Sequence, residues 1–207
     1  METRNSPATG PRAAALRIPG DLWIAGEMFT RNELHAMAHN GLLIEVLGDY
    51  FLPSSIRVNA SVRARIAGFA CGRELARDAV LARQTAAWIH GLLPSVSTLC
   101  IYTKSYHRPF YPGHGLRAEF AQMQVPDTDM VFRSRIRVTT ALRSACDCAK
   151  YDPLPIASRV LGTVAALADP YLTLDAIKQA LASEVPSPER SRALRLVQSF
   201  SDTAQAA

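Results

Sequence analysis

With 207 residues, 48% of them hydrophobic, the chain has enough apolar material for one medium domain, or for a small domain joined to a larger one. No apolar run approaches the ~18 residues of a membrane span, and residues 1–15 lack the apolar centre of a signal peptide, so a cytoplasmic protein is expected. The formal charge of +5 is unevenly placed: residues 56–150 hold fourteen basic and six acidic side chains, while 1–55 carry −2 and 151–207 carry −1. A polyanion is therefore drawn first to the middle of the chain.

In chain order, residues 1–20 are rich in Pro, Ala and Gly and read as a flexible leader. Thr30-Arg31-Asn32-Glu33 is a capping box, which predicts a helix from Arg31 to about His39. Leu34, Met37, Ala38 and Leu42 would form its apolar stripe, and Asn40-Gly41 its end. Leu42–Val46 and Tyr50–Leu52, joined through Leu47-Gly48-Asp49, predict a tight hairpin. A helix followed at once by a hairpin is the closing half of a winged helix-turn-helix, with Leu22–Glu27 read as the remnant of the preceding helix. Arg31, His35 and His39, four residues apart with Asn32 and Asn40 alongside, would face away from the apolar stripe. That face suits base edges in a major groove, and it suits plain solvent equally well.

A basic helix over about Val58–Cys71 follows, carrying Arg63 and Arg65 and flanked by Arg57, Arg73 and Arg77. Arg83–Gly91 predicts a short apolar helix around Trp88, stopped by Gly91. His90 beside Trp88 reads as a satisfied core residue before it reads as a catalyst. Strands are expected at Ser97–Thr103, Leu116–Gln124 and Met130–Val138, the first two separated by the loop Lys104–Gly115. Tyr102, Tyr106, Phe110 and Tyr111 flank Lys104, His107 and Arg108 around that loop; such aromatics could stack on bases, but packing on the sheet is the expectation. In the last strand Arg133, Arg135 and Arg137 would share one face, either as a polyanion surface or as the charged edge that blocks strand pairing. Helices are expected at 140–151, 154–168, 173–183 and 188–200, with Thr173 and Ser187 as caps.

The fold class predicted is α+β. A small winged-helix-like module over 21–55 precedes a mixed α/β core with several C-terminal helices over 56–207. Cys71, Cys100, Cys146 and Cys148 show neither a disulfide framework nor metal-ligand spacing, and no cofactor or metal is expected. Glu119, Asp127 and Asp129 are the only carboxylates that suggest a nuclease, and the later acid-x-Lys such a site needs is missing. Walker, nucleophile-elbow and zincin motifs are also missing, so an enzyme is not expected.

The block Arg83–Gly91, answered by Arg137–Asp147 (RVTTALRSACD), resembles the abortive-infection antitoxin family, the AbiEi-like proteins of type IV toxin–antitoxin systems, particularly its actinobacterial branch. The resemblance covers roughly residues 22–150. It implies a transcriptional repressor and antitoxin that binds operator DNA in its own promoter and counters a nucleotidyltransferase-like toxin, generally without a tight complex. On that reading Arg31, Asn32, His35 and His39 contact bases, and Arg57, Arg63 and Arg65 contact phosphates. Arg133 and Arg135 are candidates for a partner or polyanion surface. The acidic balance of residues 1–55 and Asp49 at the wing tip favour an alternative, a protein-interaction module whose winged helix no longer binds DNA.

Overall fold

The computed structural model describes residues 21–72, 75, 78–105, 111–167 and 169–205. The leader, Arg73, Arg77 and residues 106–110 of the central loop lie outside the described residues.

The capping box forms. The Thr30 hydroxyl accepts the Glu33 backbone N–H at 3.3 Å, and the Glu33 carboxylate accepts the Thr30 N–H at 2.8 Å, which starts α1 (Arg31–His39). Asn40 caps its end, and Gly41 turns the chain at φ +73°. The chain then enters the hairpin of β2 (Leu43–Leu47) and β3 (Tyr50–Pro53). Two expectations change here. Leu22–Glu27 holds a strand, β1 (Trp23–Ile24), which pairs with β3 and gives the sheet order β1-β3-β2. A Trp-Ile pair fits a pleated, half-buried edge and is too short for a helical turn. Leu42 lies past the Gly41 turn and is 62% exposed, so it leaves the apolar stripe of α1.

Strand alternation then places the neighbouring helices. Phe51 joins Leu34 and Leu43 under α1. Its neighbours Tyr50 and Leu52 face the other way, into the main core with α2 (Ala60–Cys71), where Tyr50 meets Phe69 edge-on at 6.1 Å. Helices α1 and α2 therefore lie on opposite faces of the small sheet.

The second sheet has the order β6-β5-β4-β8-β7. Its strands are β4 (Val80–Leu81), β5 (Thr98–Thr103), β6 (Arg117–Gln122), β7 (Met130–Arg133) and β8 (Ile136–Thr139). β4 runs parallel to β8 and β5 to β6, while β4–β5 and β7–β8 are antiparallel. The single strand expected over Met130–Val138 is thus two. Ser134 and Arg135 adopt φ +49° and +69°, a two-residue left-handed turn that matches the twist of the flanking strands. Arg133 pairs with Ile136, and Arg137 pairs with Phe132 on the other face, so the three arginines do not share a face.

Helix α3 (Arg83–Ile89) follows β4, and α4 (Ala141–Tyr151) follows β8. Trp88, Leu99, Ile101 and Val138 are at most 1% exposed between helices and sheet. Then come α5 (Leu154–Ala166), α6 (Leu174–Ala182) and α7 (Pro188–Gln205), which pack around α4. Thr173 and Ser187 cap the last two as expected, accepting the N–H of Ala176 and of Arg190. No helix among the described residues is long and apolar enough to cross a membrane.

Candidate functional site

Leu34 anchors α1 and leaves Asn32, Glu33, His35, Ala36, His39 and Asn40 directed outward. Arg31, the first residue of the helix, reaches across to the hairpin tip and pairs with Asp49 at 2.5 Å. Asp49 is nearly buried, and its backbone N–H donates to the His114 carbonyl at 3.0 Å. Tyr50 also meets the His114 ring at 5.3 Å. The tip of the β2–β3 hairpin is therefore docked on the turn at 113–116. His35 stands edge-on to Phe51, its Nδ1 3.8 Å from the Glu45 carboxylate. Arg31, His35 and Glu45 line one wall of a cleft of about 750 Å³, with Ser95, Ser97 and Arg159 also on its lining. Asn32 and His39 are not among the cleft's lining residues.

The basic residues expected to meet phosphates do not form one patch beside α1. Arg57 is exposed on the segment after β3. Arg63 turns inward: it donates to the Trp88 carbonyl at 2.5 Å, and its guanidinium lies 5.4 Å from the Trp88 ring centroid. Burial pulls its pKa below the ordinary arginine value. Arg65 is half-buried on the same helix. A long aliphatic stem lets arginine cover core surface, which a count of charges does not foresee.

Other cations are neutralised inside the molecule. Arg83, held at φ +50°, pairs with Asp152 at 2.6 Å and with Glu119 at 2.9 Å. Arg143 pairs with Asp129 at 2.7 Å and with Asp147 at 2.9 Å. Lys150 lies 2.8 Å from Glu184 and 3.3 Å from Asp147. Glu119 and Asp129 are thus taken by different arginines, and among the described residues no three His, Cys, Asp or Glu side chains are grouped to hold a metal. Burial pushes the Asp147 carboxyl up, against the pull of Arg143 and Lys150. The four cysteines are buried and unpaired with one another, and burial raises the Cys71, Cys100 and Cys146 thiols to about 12. His90 shares a hydrogen bond of 2.7 Å between Nε2 and the Thr139 carbonyl. Burial, aided by the nearby Arg133 charge, lowers its pKa despite that bond.

The central loop differs from expectation where it is described: Tyr111 is 93% exposed rather than packed on the sheet. Arg133 is half-buried, with its Nε shielded and lacking a hydrogen-bond partner. Arg135 is exposed at the tip of the β7–β8 hairpin. Arg137 lies against Phe132, 5.6 Å from the ring centroid. The Arg31–Asp49 tie and the inward turn of Arg63 escape sequence reasoning, since neither follows from helical or strand periodicity. No protein-family model matches the chain, and no curated protein matches it either.

Proposed function

We propose that the protein is a DNA-binding transcriptional regulator of the abortive-infection antitoxin class, reading its own promoter through α1. One observation carries this reading: α1 docks by Leu34 on a sheet ordered β1-β3-β2 and presents Asn32, His35 and His39 outward. A helix followed by a two-stranded hairpin, with a short third strand on the hairpin's far edge, matches the closing half of a winged helix-turn-helix, although among the described residues a strand and no helix precedes α1. Amide and imidazole groups on such a face can hydrogen-bond base edges. Arg31 is held by Asp49 through one nitrogen, and its side chain stays 56% exposed, so its remaining N–H groups can join them. The antitoxin role, directed against a nucleotidyltransferase-like toxin, rests on the resemblance of Arg83–Gly91 and Arg137–Asp147.

Fluorescence anisotropy with the duplex upstream of the protein's own gene, against a shuffled duplex, tests the DNA half. The wild type should prefer the upstream duplex, and Asn32→Ala with His39→Ala should erase that preference; equal binding by the wild type to both duplexes rejects it. Co-expression with a neighbouring nucleotidyltransferase-like gene tests the antitoxin half, with restored growth as the expected outcome.

The docked hairpin tip and the tied Arg31 favour a second reading, in which the 750 Å³ cleft beside α1 receives a protein segment and the module is an interaction surface. It predicts no sequence preference for any duplex.

A further inference from the structure

The cations of this chain differ in what they face. Arg31, Arg83, Arg143 and Lys150 each meet a carboxylate at 2.5–2.8 Å. Among the described residues Arg133, Arg135 and Arg137 make no ion pair with a carboxylate, and all three belong to the β7–β8 hairpin. The two hairpins also differ at their tips. That of β2–β3 carries Asp49 and is docked on the 113–116 turn; that of β7–β8 carries Ser134 and Arg135, both exposed. β7 is an outer strand, paired on one side only.

We infer that the β7–β8 hairpin is a contact arm for the phosphate backbone of duplex DNA. Its chemistry is that of charge without base readout. Arg135 stands at the apex. Arg137 is braced on the ring of Phe132, which is 61% exposed. Arg133 enters from the other face of the ladder, its Nε buried while the rest of the residue is half-exposed. Guanidinium groups suit phosphate because their planar fork can donate two parallel bonds. The hairpin packs against α2, whereas α1 lies on the other side of the small sheet, so the arm is separate from the proposed reading helix. The inference goes beyond that reading, since it needs no base contact from α1.

The test is the salt dependence of binding to a shuffled duplex, measured by anisotropy on the full chain from about 50 to 200 mM salt. Arg135→Asn combined with Arg137→Gln removes two charges; Asn suits the left-handed turn position, so the hairpin is kept. Each phosphate that is no longer neutralised lowers the slope of log affinity against log salt by about 0.9, so the pair should lower it by about 2 and weaken binding about twentyfold at about 200 mM salt and about two-hundredfold at about 50 mM. Arg135→Lys with Arg137→Lys should restore most of the slope, which a purely structural role would not require. An unchanged slope in the Asn/Gln variant overturns the inference, as does a wild type that binds no duplex at about 50 mM salt or that prefers single-stranded RNA. The ratio of upstream to shuffled affinity is read in the same titrations. A wild type without that ratio speaks against α1 alone, and an unchanged slope in the Asn/Gln variant speaks against the hairpin alone.

Discussion

Asp147 has a side-chain exposure of 0% and lies between Arg143 on the preceding turn of α4 and Lys150 on the next. On an exposed helix the Arg143–Asp147 spacing contributes only a few tenths of a kcal/mol. Burial changes its weight, because deleting the carboxylate leaves two cations with less compensation inside the fold. Asp147→Ala should cost about 3–5 kcal/mol, seen as a lower urea midpoint. Asp129→Ala removes the other, more accessible partner of Arg143, 35% exposed, and should cost under about 1 kcal/mol. Equal costs for the two variants would show that depth does not set the value of these pairs.

At the scale of elements, the β2–β3 turn depends on Gly48. Its φ is +51°, and a Cβ there would stand 2.4 Å from the His114 carbonyl oxygen and 3.0 Å from the Leu116 side chain. Gly48→Ala should lift the hairpin tip off that turn, destabilise the fold by about 1–3 kcal/mol and loosen the Arg31–Asp49 pair. Faster amide exchange at Asp49 and Tyr50 would report it, and unchanged exchange would show that the tip is not clamped there. Elements with chemical punctuation are legible in the sequence: Thr30 and Glu33 mark α1, Thr173 marks α6, and Gly91 stops α3. Elements without it are not. The turn at Ser134-Arg135 lacks the Gly or Asn that normally signals a left-handed pair, so local pattern predicts one strand where two exist. β1 and β4 are two residues each, and their pairing is set by distant strands rather than by local pattern. At the candidate site the outward direction of Asn32, His35 and His39 follows from helical period. The fate of Arg31 depends on Asp49, eighteen residues away, and cannot be read locally.

For the whole molecule, the main core does not respect a boundary near residue 55. Val46, Leu47, Tyr50 and Leu52 of the hairpin belong to the same apolar cluster as Trp88, Val138 and the C-terminal helices. The N-terminal elements and the larger sheet should therefore unfold together. The two tryptophans serve as reporters: Trp23 lies in β1 beside Phe29, and Trp88 in the central core. Trp23→Phe and Trp88→Phe each leave one reporter. Urea titrations at fixed temperature will show, within each variant, the same midpoint by fluorescence as by far-UV circular dichroism. An earlier transition at Trp23 would mark the module as a separate unit.

If α1 reads DNA as proposed, the tie between Arg31 and Asp49 bears on operator composition. Arginine is the commonest reader of guanine, through O6 and N7, and α1 has only this one. With one nitrogen of its guanidinium held by Asp49, that arginine is less free to turn, while the amides on the outward face are Asn32 and Asn40, whose bidentate match is adenine N6 and N7. An operator read by this helix would be marked by adenines at the steps the two amides contact, with guanine favoured where Arg31 turns its free N–H groups to a base.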